Sequence, residues 1–352
     1  MLRLRYANVV LVENHLMDNS SDTSLPGVLR ISPEPGIFLD DSDIHGRLTS
    51  HPRQYLRFVE NGLKAIANGM VKMQLPAKQV FSDPDERSDF RVMPCILRRG
   101  SGVRKTVKLV GTNTEQVLVP GQITVGRTFA LHPSENFVTH TFDACLLSSA
   151  RTGACAVLAS KLLAEDLRRV AIIGAGRVAY YTARYLFALN RTETLFLADV
   201  DSARAAAMVA TLHADGAANG CRIFAGAADG PVDAVILATT STAPVCHRGD
   251  FEARLVVSLG ADSVSQHELA ADFANTSTIY VDTRDSVRYG DLNAWIAAGL
   301  VAEESLVDML DLMRNGAAER RDGPRLFVST GTALFDNLTV GYLLSQSGSD
   351  TL

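Results

Sequence analysis

The sequence predicts an α/β protein in which a doubly wound parallel sheet of the Rossmann type is joined to a strand-rich α+β domain. Three observations carry that expectation. Val170–Ile173 reads as an apolar strand that runs into Gly174-Ala175-Gly176, a helix pattern and a second strand closed by Asp199. After this unit, strand and helix patterns alternate as far as Val281. Before it, between Gln74 and Phe142, the pattern is one of short β-rich runs separated by turn clusters. At 352 residues the chain exceeds the size at which single cores stop growing, so two domains are expected: residues 1–150, completed by 325–352, and residues 151–324.

In chain order, residues 1–38 mix short apolar pieces with a Ser/Asp stretch and Pro26, Pro33 and Pro35, and read as an extra strand or arm. The acidic run Asp40-Asp41-Ser42-Asp43 starts a helix, and Tyr55, Phe58, Val59, Leu63, Ile66 and Ala67 recur at helical spacing until Asn68-Gly69 stops it. The β-rich runs are Arg91–Leu97, Thr106–Val110, Gln122–Leu131 and Phe137–Phe142, with turns at 82–87, 98–102 and 132–136. Ala150–Ala164 reads as a small-residue helix with Arg151 at its start. The alternating segments that follow are Thr194–Ala198, Ala203–His213, Arg222–Phe224, Ala234–Ala238, Leu255–Leu259 and Thr278–Val281. Arg325–Ser329 and a helix from Leu334 to Ser345 read as a return element.

Composition narrows the function. With 47% apolar and 21% charged residues the chain is ordinary globular material, and a formal charge of −5 gives no basic field for nucleic acid or anionic lipid. Its apolar runs are far short of a membrane span and no signal-peptide pattern opens the chain, so a soluble, cytoplasmic protein is expected. Five scattered cysteines, never spaced C-x-x-C, argue against a disulfide framework and a zinc site. The eight histidines are dispersed and no metal site is expected.

The glycine turn carries the most chemistry. Gly174 permits the tight turn, and Gly176 lets the backbone approach a pyrophosphate held by the helix-start amides of Arg177 and Val178 and by the helix dipole. Ala179 stands at the third small position. Asp199, about twenty residues further on, ends an apolar strand where a carboxylate accepts both ribose hydroxyls, which favours NAD over NADP. Arg204 is either a contact for a 2′-phosphate, which Asp199 would repel, or an exposed helix residue.

Four further features sit where a substrate would lie. Thr239-Thr240-Ser241-Thr242 follows a strand and is either a hydroxyl-rich loop facing the nicotinamide crevice or a polar turn that caps a helix. Asp262 follows another apolar strand and is either an acid/base group or the N-cap of a helix holding Glu268. Lys108 ends a short strand and is either solvent-exposed or buried against an anion, a role a substrate carboxylate would fill. Arg151 either grips a carboxylate in bidentate fashion, reinforced by a helix N-terminus, or lies on a helix surface.

Together these residues resemble the ornithine cyclodeaminase/μ-crystallin family over roughly residues 39–344. The resemblance rests on Leu75-Pro76-Ala77-Lys78, Val92-Met93-Pro94, Val107-Lys108-Leu109-Val110-Gly111, Ser149-Ala150-Arg151-Thr152, Gly174-Ala175-Gly176, Ala261-Asp262 and Gly331-Thr332-Ala333. It implies that Lys108 and Arg151 bind the substrate carboxylate, that Asp262 is the catalytic acid/base with Lys108 beside it, and that Lys78 is a further basic contact. It also implies NAD as cofactor, a homodimer built on the strand-rich domain, and an amino-acid substrate. Within the family the residues are most similar to the branch that oxidatively hydrolyses N-(2-amino-2-carboxyethyl)-L-glutamate to 2,3-diaminopropionate and 2-oxoglutarate, in siderophore or antibiotic biosynthesis. The other activities it implies are ornithine cyclodeamination, imine or ketimine reduction, and the ligand binding without chemistry of μ-crystallin. Two departures point away from ornithine: Gly111-Thr112-Asn113-Thr114 replaces a proline-asparagine turn, and Gly331-Thr332-Ala333-Leu334-Phe335-Asp336 lacks the glutamate of the corresponding motif.

Overall fold

The computed structural model describes residues 27–82, 88–218, 220–318, 323–350 and 352. Most of the expected N-terminal arm, and residues 83–87 of the expected turn, lie outside them. The chain divides into two compact units, Met1–Pro35 and Gly36–Leu352. A 3₁₀ turn, Gly27–Leu29, is described in the first. The described sheets, two large and one of two strands, belong to the second.

That unit opens with β1 (Ile37–Leu39), α1 (Asp41–Ser50) and α2 (Pro52–Ala67). Asp40 caps α1 by accepting from the Asp43 amide at 2.8 Å. Pro52 suits a first helical turn and not an interior, so the single periodic stretch becomes two helices. A largely antiparallel sheet follows: β2 (Lys72–Gln74), β3 (Gln79–Ser82), β4 (Asp89–Arg99), β5 (Gly102–Thr112), β6 (Thr124–Leu131) and β7 (Val138–Asp143). Its order is β1-β7-β6-β5-β4-β2, with β3 also paired to β4. On β5, Arg104, Thr106, Lys108 and Val110 are buried while Leu109 is exposed. Pleat alternation therefore sends Lys108 inward.

The next helix, α3 (Ala144–Leu163), is buried on almost every side from Ala144 to Ser160. It starts well before the expected Ala150, with the Leu146 amide donating to Asp41 Oδ1 at 2.8 Å. Arg151 is thus two turns inside the helix, and the expected help from a helix N-terminus falls away. A helix buried all round needs close neighbours, and small residues provide for them. A Cβ on Gly153 would stand 2.8 Å from the Thr182 amide nitrogen of α4 (Arg177–Leu189), so the two backbones nearly touch.

The second sheet uses β8 (Arg169–Ile173), β9 (Thr194–Ala198), β10 (Arg222–Ala225) and β11 (Val232–Leu237), with α5 (Ser202–Ala214) between β9 and β10. After β12 (Thr242–Cys246) come β13 (Ala253–Ser258), β14 (His267–Leu269), β15 (Thr278–Val281), α6 (Gly290–Ala297), β16 (Val307–Asp308) and α7 (Met309–Asn315). The chain closes with β17 (Arg325–Val328) and α8 (Ala333–Ser345). The parallel order is β10-β9-β8-β11-β13-β17-β15-β16, the doubly wound arrangement. The order reverses between β8 and β11, which places a topological switch point at the glycine turn. Two expectations are corrected. Arg325–Val328 is an inner strand of this parallel sheet, so the return to the first sheet begins with α8, which packs on α2, α3 and β5. Glu268 lies on β14, paired with β12, and not on a helix. Among the described residues no helix is long and apolar enough to cross a membrane.

A Gly153→Val variant forces α3 from α4 and should cost about 1–3 kcal/mol, as overpacked cores do. Thermal unfolding reads this directly; an unchanged Tm would contradict the close helix contact.

Candidate active site

The switch point is shaped for an anion. Gly174 has φ +102°, and a Cβ there would meet the Ala238 carbonyl oxygen at 2.3 Å, so glycine is required. Gly176 has open space where a Cβ would stand, and it begins α4 without a side-chain cap. The first amides of α4, those of Arg177 and Val178, have no intrahelical partner and combine with the helix dipole. Asp199 directly follows β9; its Oδ2 accepts from the Ala175 amide at 2.7 Å and its Oδ1 from the Asp201 amide at 3.0 Å, so the acid and the glycine turn form one structure. A groove of about 700 Å³ beside this helix start is lined by Gly176, Arg177, Tyr180, Arg204 and Met208. Arg177 also donates to the Gly121 carbonyl at 2.6 Å, tying the turn to the loop after β5. These residues fit a dinucleotide: an open glycine cradle, an uncapped helix and an acid at the strand end.

Asp262 lies four residues beyond the end of β13 and caps no helix, which removes the N-cap reading. Its Oδ2 accepts from Arg91 NH1 at 2.7 Å. Arg91, on the inward face of β4, is held from behind by Asp89, whose two oxygens accept its Nε and NH2 at 3.0 Å each. Lys78 is buried, stacks its Nζ 3.7 Å from the Tyr289 ring centre, and donates to the carbonyls of Thr330 at 3.0 Å and Asp262 at 3.3 Å. A cavity of about 300 Å³ is lined by Lys78, Met93, Asp285, Gly331 and Thr332. Burial raises the Asp262 pKa, but the charges of Arg91, Lys78 and Arg151 outweigh it and leave the carboxyl below its ordinary 3.8. Burial acts the other way on Lys78 and brings its ammonium down to about 8 despite the charge of Asp262.

Lys108 is buried to 2% exposure, and its anion is internal. Its Nζ lies 2.9 and 3.0 Å from the Asp336 oxygens and donates to Ser148 Oγ at 3.3 Å. Arg151 faces the same carboxylate, Nε to Oδ1 at 3.2 Å. Burial first, and then Arg151, lower the Lys108 pKa to about 8. Among the described residues the Arg151 guanidinium makes no well-formed hydrogen bond, and its terminal nitrogens lie beneath Gly331. Arg151 is therefore not a helix-surface residue: it is buried with donors to spare.

Buried carboxylates fix the loops around these groups. Glu268 accepts from the amides of Thr239, Leu259 and Gly260 and from the hydroxyls of Thr239 and Ser258, at 2.7–3.0 Å, which joins the ends of β11 and β13. Burial still raises its pKa. Asp282 accepts from Ser329 Oγ at 2.7 Å and from the Gly331 amide at 2.9 Å, which sets the loop over Arg151. The hydroxyl-rich loop leads into β12, so the helix-cap reading fails. Within it Thr239 is spoken for by Glu268, Ser241 bonds locally to Ala243, and Thr240 is exposed.

The family model described as "Ornithine cyclodeaminase/mu-crystallin family" matches residues 37–345. The chain belongs to that family. A Delta(1)-pyrroline-2-carboxylate reductase from Burkholderia multivorans is 30% identical over 216 residues, 60% of this chain and 67% of the relative. The solved Thermococcus litoralis Delta(1)-pyrroline-2-carboxylate reductase, in complex with NADH and L-proline, is similar with a TM-score of 0.77 at 20% identity, covering 90% of this chain and 99% of that one. The Paracoccus denitrificans iminosuccinate reductase, in complex with NAD+, gives 0.74 at 18% identity, covering 90% and 97%.

In this member of the family, Arg91, Asp282 and Glu268 are parts of the site that motif reading passes over, and Asp336, quoted above only as the end of the Gly331–Asp336 motif, is a fourth whose role the motif does not give. Arg91 shares the inward face of β4 with Met93, Cys95 and Leu97, and alternation from Met93 finds it. Asp336 and its neighbour Asn337 interrupt the apolar run Ala333–Leu338, and a carboxylate buried there calls for a cation. An Asp336→Ala variant leaves Lys108 and Arg151 facing each other without their shared anion. It should lose about 3–5 kcal/mol, read as a lower denaturant midpoint; retention of wild-type stability would show the cluster to be solvated.

Proposed function

We propose that the chain is an NAD-dependent oxidoreductase acting on the Cα–N bond of an amino acid or N-substituted amino acid. The substrate we assign is N-(2-amino-2-carboxyethyl)-L-glutamate, split into 2,3-diaminopropionate and 2-oxoglutarate. The observation that carries the reading is one carboxylate, Asp262, at the crevice edge of the parallel sheet, surrounded by Arg91, Lys78 and Arg151. A site with that much positive charge suits a substrate whose carboxylates outnumber its amines, as the three carboxylates of this one outnumber its two nitrogens, and disfavours ornithine, which sets one carboxylate against two ammonium groups.

NAD, when bound, supplies the hydride acceptor. Lys108 and Arg151 leave one net positive charge after Asp336 and hold the carboxylate on the reacting carbon, with Lys78 as a further cation. Asp262 takes the proton from the substrate's secondary ammonium, since only a neutral nitrogen has the electron pair to expel hydride from Cα. Asp262 releases that proton to solvent and, again a carboxylate, takes one from the water that adds to the iminium; it returns this proton to the nitrogen as the carbinolamine separates into keto acid and primary amine. Fixing the two carboxylates of the glutamate portion before reaction supplies the orientation the step requires. The names of the similar reductases favour a second reading, reduction of a cyclic imine acid in the reverse sense.

A homodimer is part of the proposal. Phe81, Phe90 and Leu109 form an exposed apolar face on the outer side of the first sheet, with the two phenyl rings stacked at 4.9 Å, the kind of patch that a partner covers.

Purified protein with NAD and the assigned substrate should form NADH and 2-oxoglutarate in equal amounts without ammonia; ammonia release with no net NADH would instead identify a cyclodeaminase. Because Lys78 and Lys108 both titrate near 8, kcat/KM should fall as pH rises through about 8. On the acid side the free enzyme should hold its kcat/KM down to below the ordinary carboxylate value, since Asp262 is depressed. A profile flat beyond pH 9 would remove the lysines from substrate binding.

A further inference from the structure

The contact between Arg91 and Asp262 conflicts with the role of a base. A carboxylate held at 2.7 Å by a guanidinium is weakly basic, and proton transfer slows as the base weakens. Asp262 is nonetheless within reach of an entering molecule, because two fifths of its side chain is exposed. Arg91 is anchored through its other edge: Asp89 takes Nε and NH2, and Thr112 Oγ1 donates to Asp89 at 2.9 Å from the neighbouring strand. NH1 can therefore change partner while the guanidinium stays in place. The other charged groups facing Asp262 are Lys78, which touches its backbone oxygen and not its carboxylate, and Arg151, which is turned to Asp336. The Tyr289 ring, stacked under Lys78, completes the surroundings. Among the described residues, Arg91 is thus the cation that contacts the carboxylate directly.

We propose that Arg91 is a positioning residue that acts as a substrate-released latch: it restrains Asp262 in the free enzyme and passes to an anionic group on the substrate's side chain, freeing Asp262 to accept the amine proton. The proposal rests on the oxidoreductase reading above and adds the means by which the substrate's second carboxylate enters the rate and not only the affinity. Charge is conserved in the exchange. The substrate anion replaces the Asp262 carboxylate against Arg91, and Asp262, relieved of the guanidinium, becomes the more basic of the two carboxylates. A substrate neutral at that position leaves the latch closed, so the loss falls on kcat.

The test compares N-(2-amino-2-carboxyethyl)-L-glutamate with its side-chain amide, N-(2-amino-2-carboxyethyl)-L-glutamine, on the full-length protein with NAD across the acid pH range. With the carboxylate substrate, the acid limb of kcat, which reports the bound complex, should lie at higher pH than that of kcat/KM, which reports the free enzyme. With the amide the two limbs should coincide and kcat should drop by about tenfold or more, within the span of general-base effects. In Arg91→Gln the limbs should coincide for both substrates and the kcat difference between them should vanish. Coincident limbs in the wild-type enzyme, or a carboxylate-to-amide difference confined to KM, would overturn the latch and leave Arg91 an ordinary binding group. The wild-type comparison stands even if Arg91→Gln does not fold. NADH formation from neither compound would bring down the oxidoreductase reading itself, and the latch with it, an outcome distinct from coincident limbs in an active enzyme.

Discussion

Everything at the site depends on one carboxylate taken out of water between two cations. Asp336 projects from α8 to meet Lys108 of β5 and Arg151 of α3, all three at or below a tenth exposure. Charges so buried are costly unless paired, and a buried cluster gives little net stability, but removing one member leaves the others uncompensated. The cluster thus acts as a geometric constraint: β5, α3 and α8 have one mutual arrangement that satisfies it. With two cations and one anion it retains a positive charge, which is what a substrate carboxylate needs. The residues lie far apart in sequence, so the site is completed only when the last helix returns to the first sheet.

The parallel sheet answers with the opposite arrangement. There carboxylates are buried against backbone amides and hydroxyls: Glu268 at the ends of β11 and β13, Asp282 under the Gly331 loop, and Asp291 on the amides of Glu268 and Leu269 at 3.0 and 3.1 Å. Each uses its oxygens to fix a loop whose backbone groups would otherwise be orphaned. Asp262 differs from them in facing Arg91 across the crevice. Cations carried mainly by the first sheet, α3 and the Lys78 segment thus meet a carboxylate carried by the second, just beyond the end of β13.

Much of this was legible because it depends on local pattern. The strand–turn–helix–strand unit at 170–199 is specified by apolar runs and by a φ only glycine adopts freely, and β9 begins and ends where its apolar run does. Lys108, Arg151 and Asp262 were legible as candidates, although spacing alone left each with a second reading, and Lys78 entered only through the family resemblance. What sequence periodicity missed was set by distance. The start of α3 is fixed by Asp41, over a hundred residues upstream in the chain, and not by a cap of its own, so Arg151 was placed at a helix end it does not occupy. β17 looks like any apolar strand, and its membership of the parallel sheet comes from pairing with β13 and β15. Arg91, and the role of Asp336, escaped because a charge on an inward face is meaningful only once its partner is known.

The central claim is that these groups converge on the α-carbon of an anionic amino acid derivative and direct its hydride to the dinucleotide. Substrate deuterated at the glutamate α-carbon, mixed with the enzyme and NAD in a single turnover, tests this most directly. The account predicts that the reduced dinucleotide carries the deuterium on one face and that the chemical step shows a primary isotope effect. Reduced dinucleotide without deuterium, or product formed with the deuterium retained at that carbon, would contradict it.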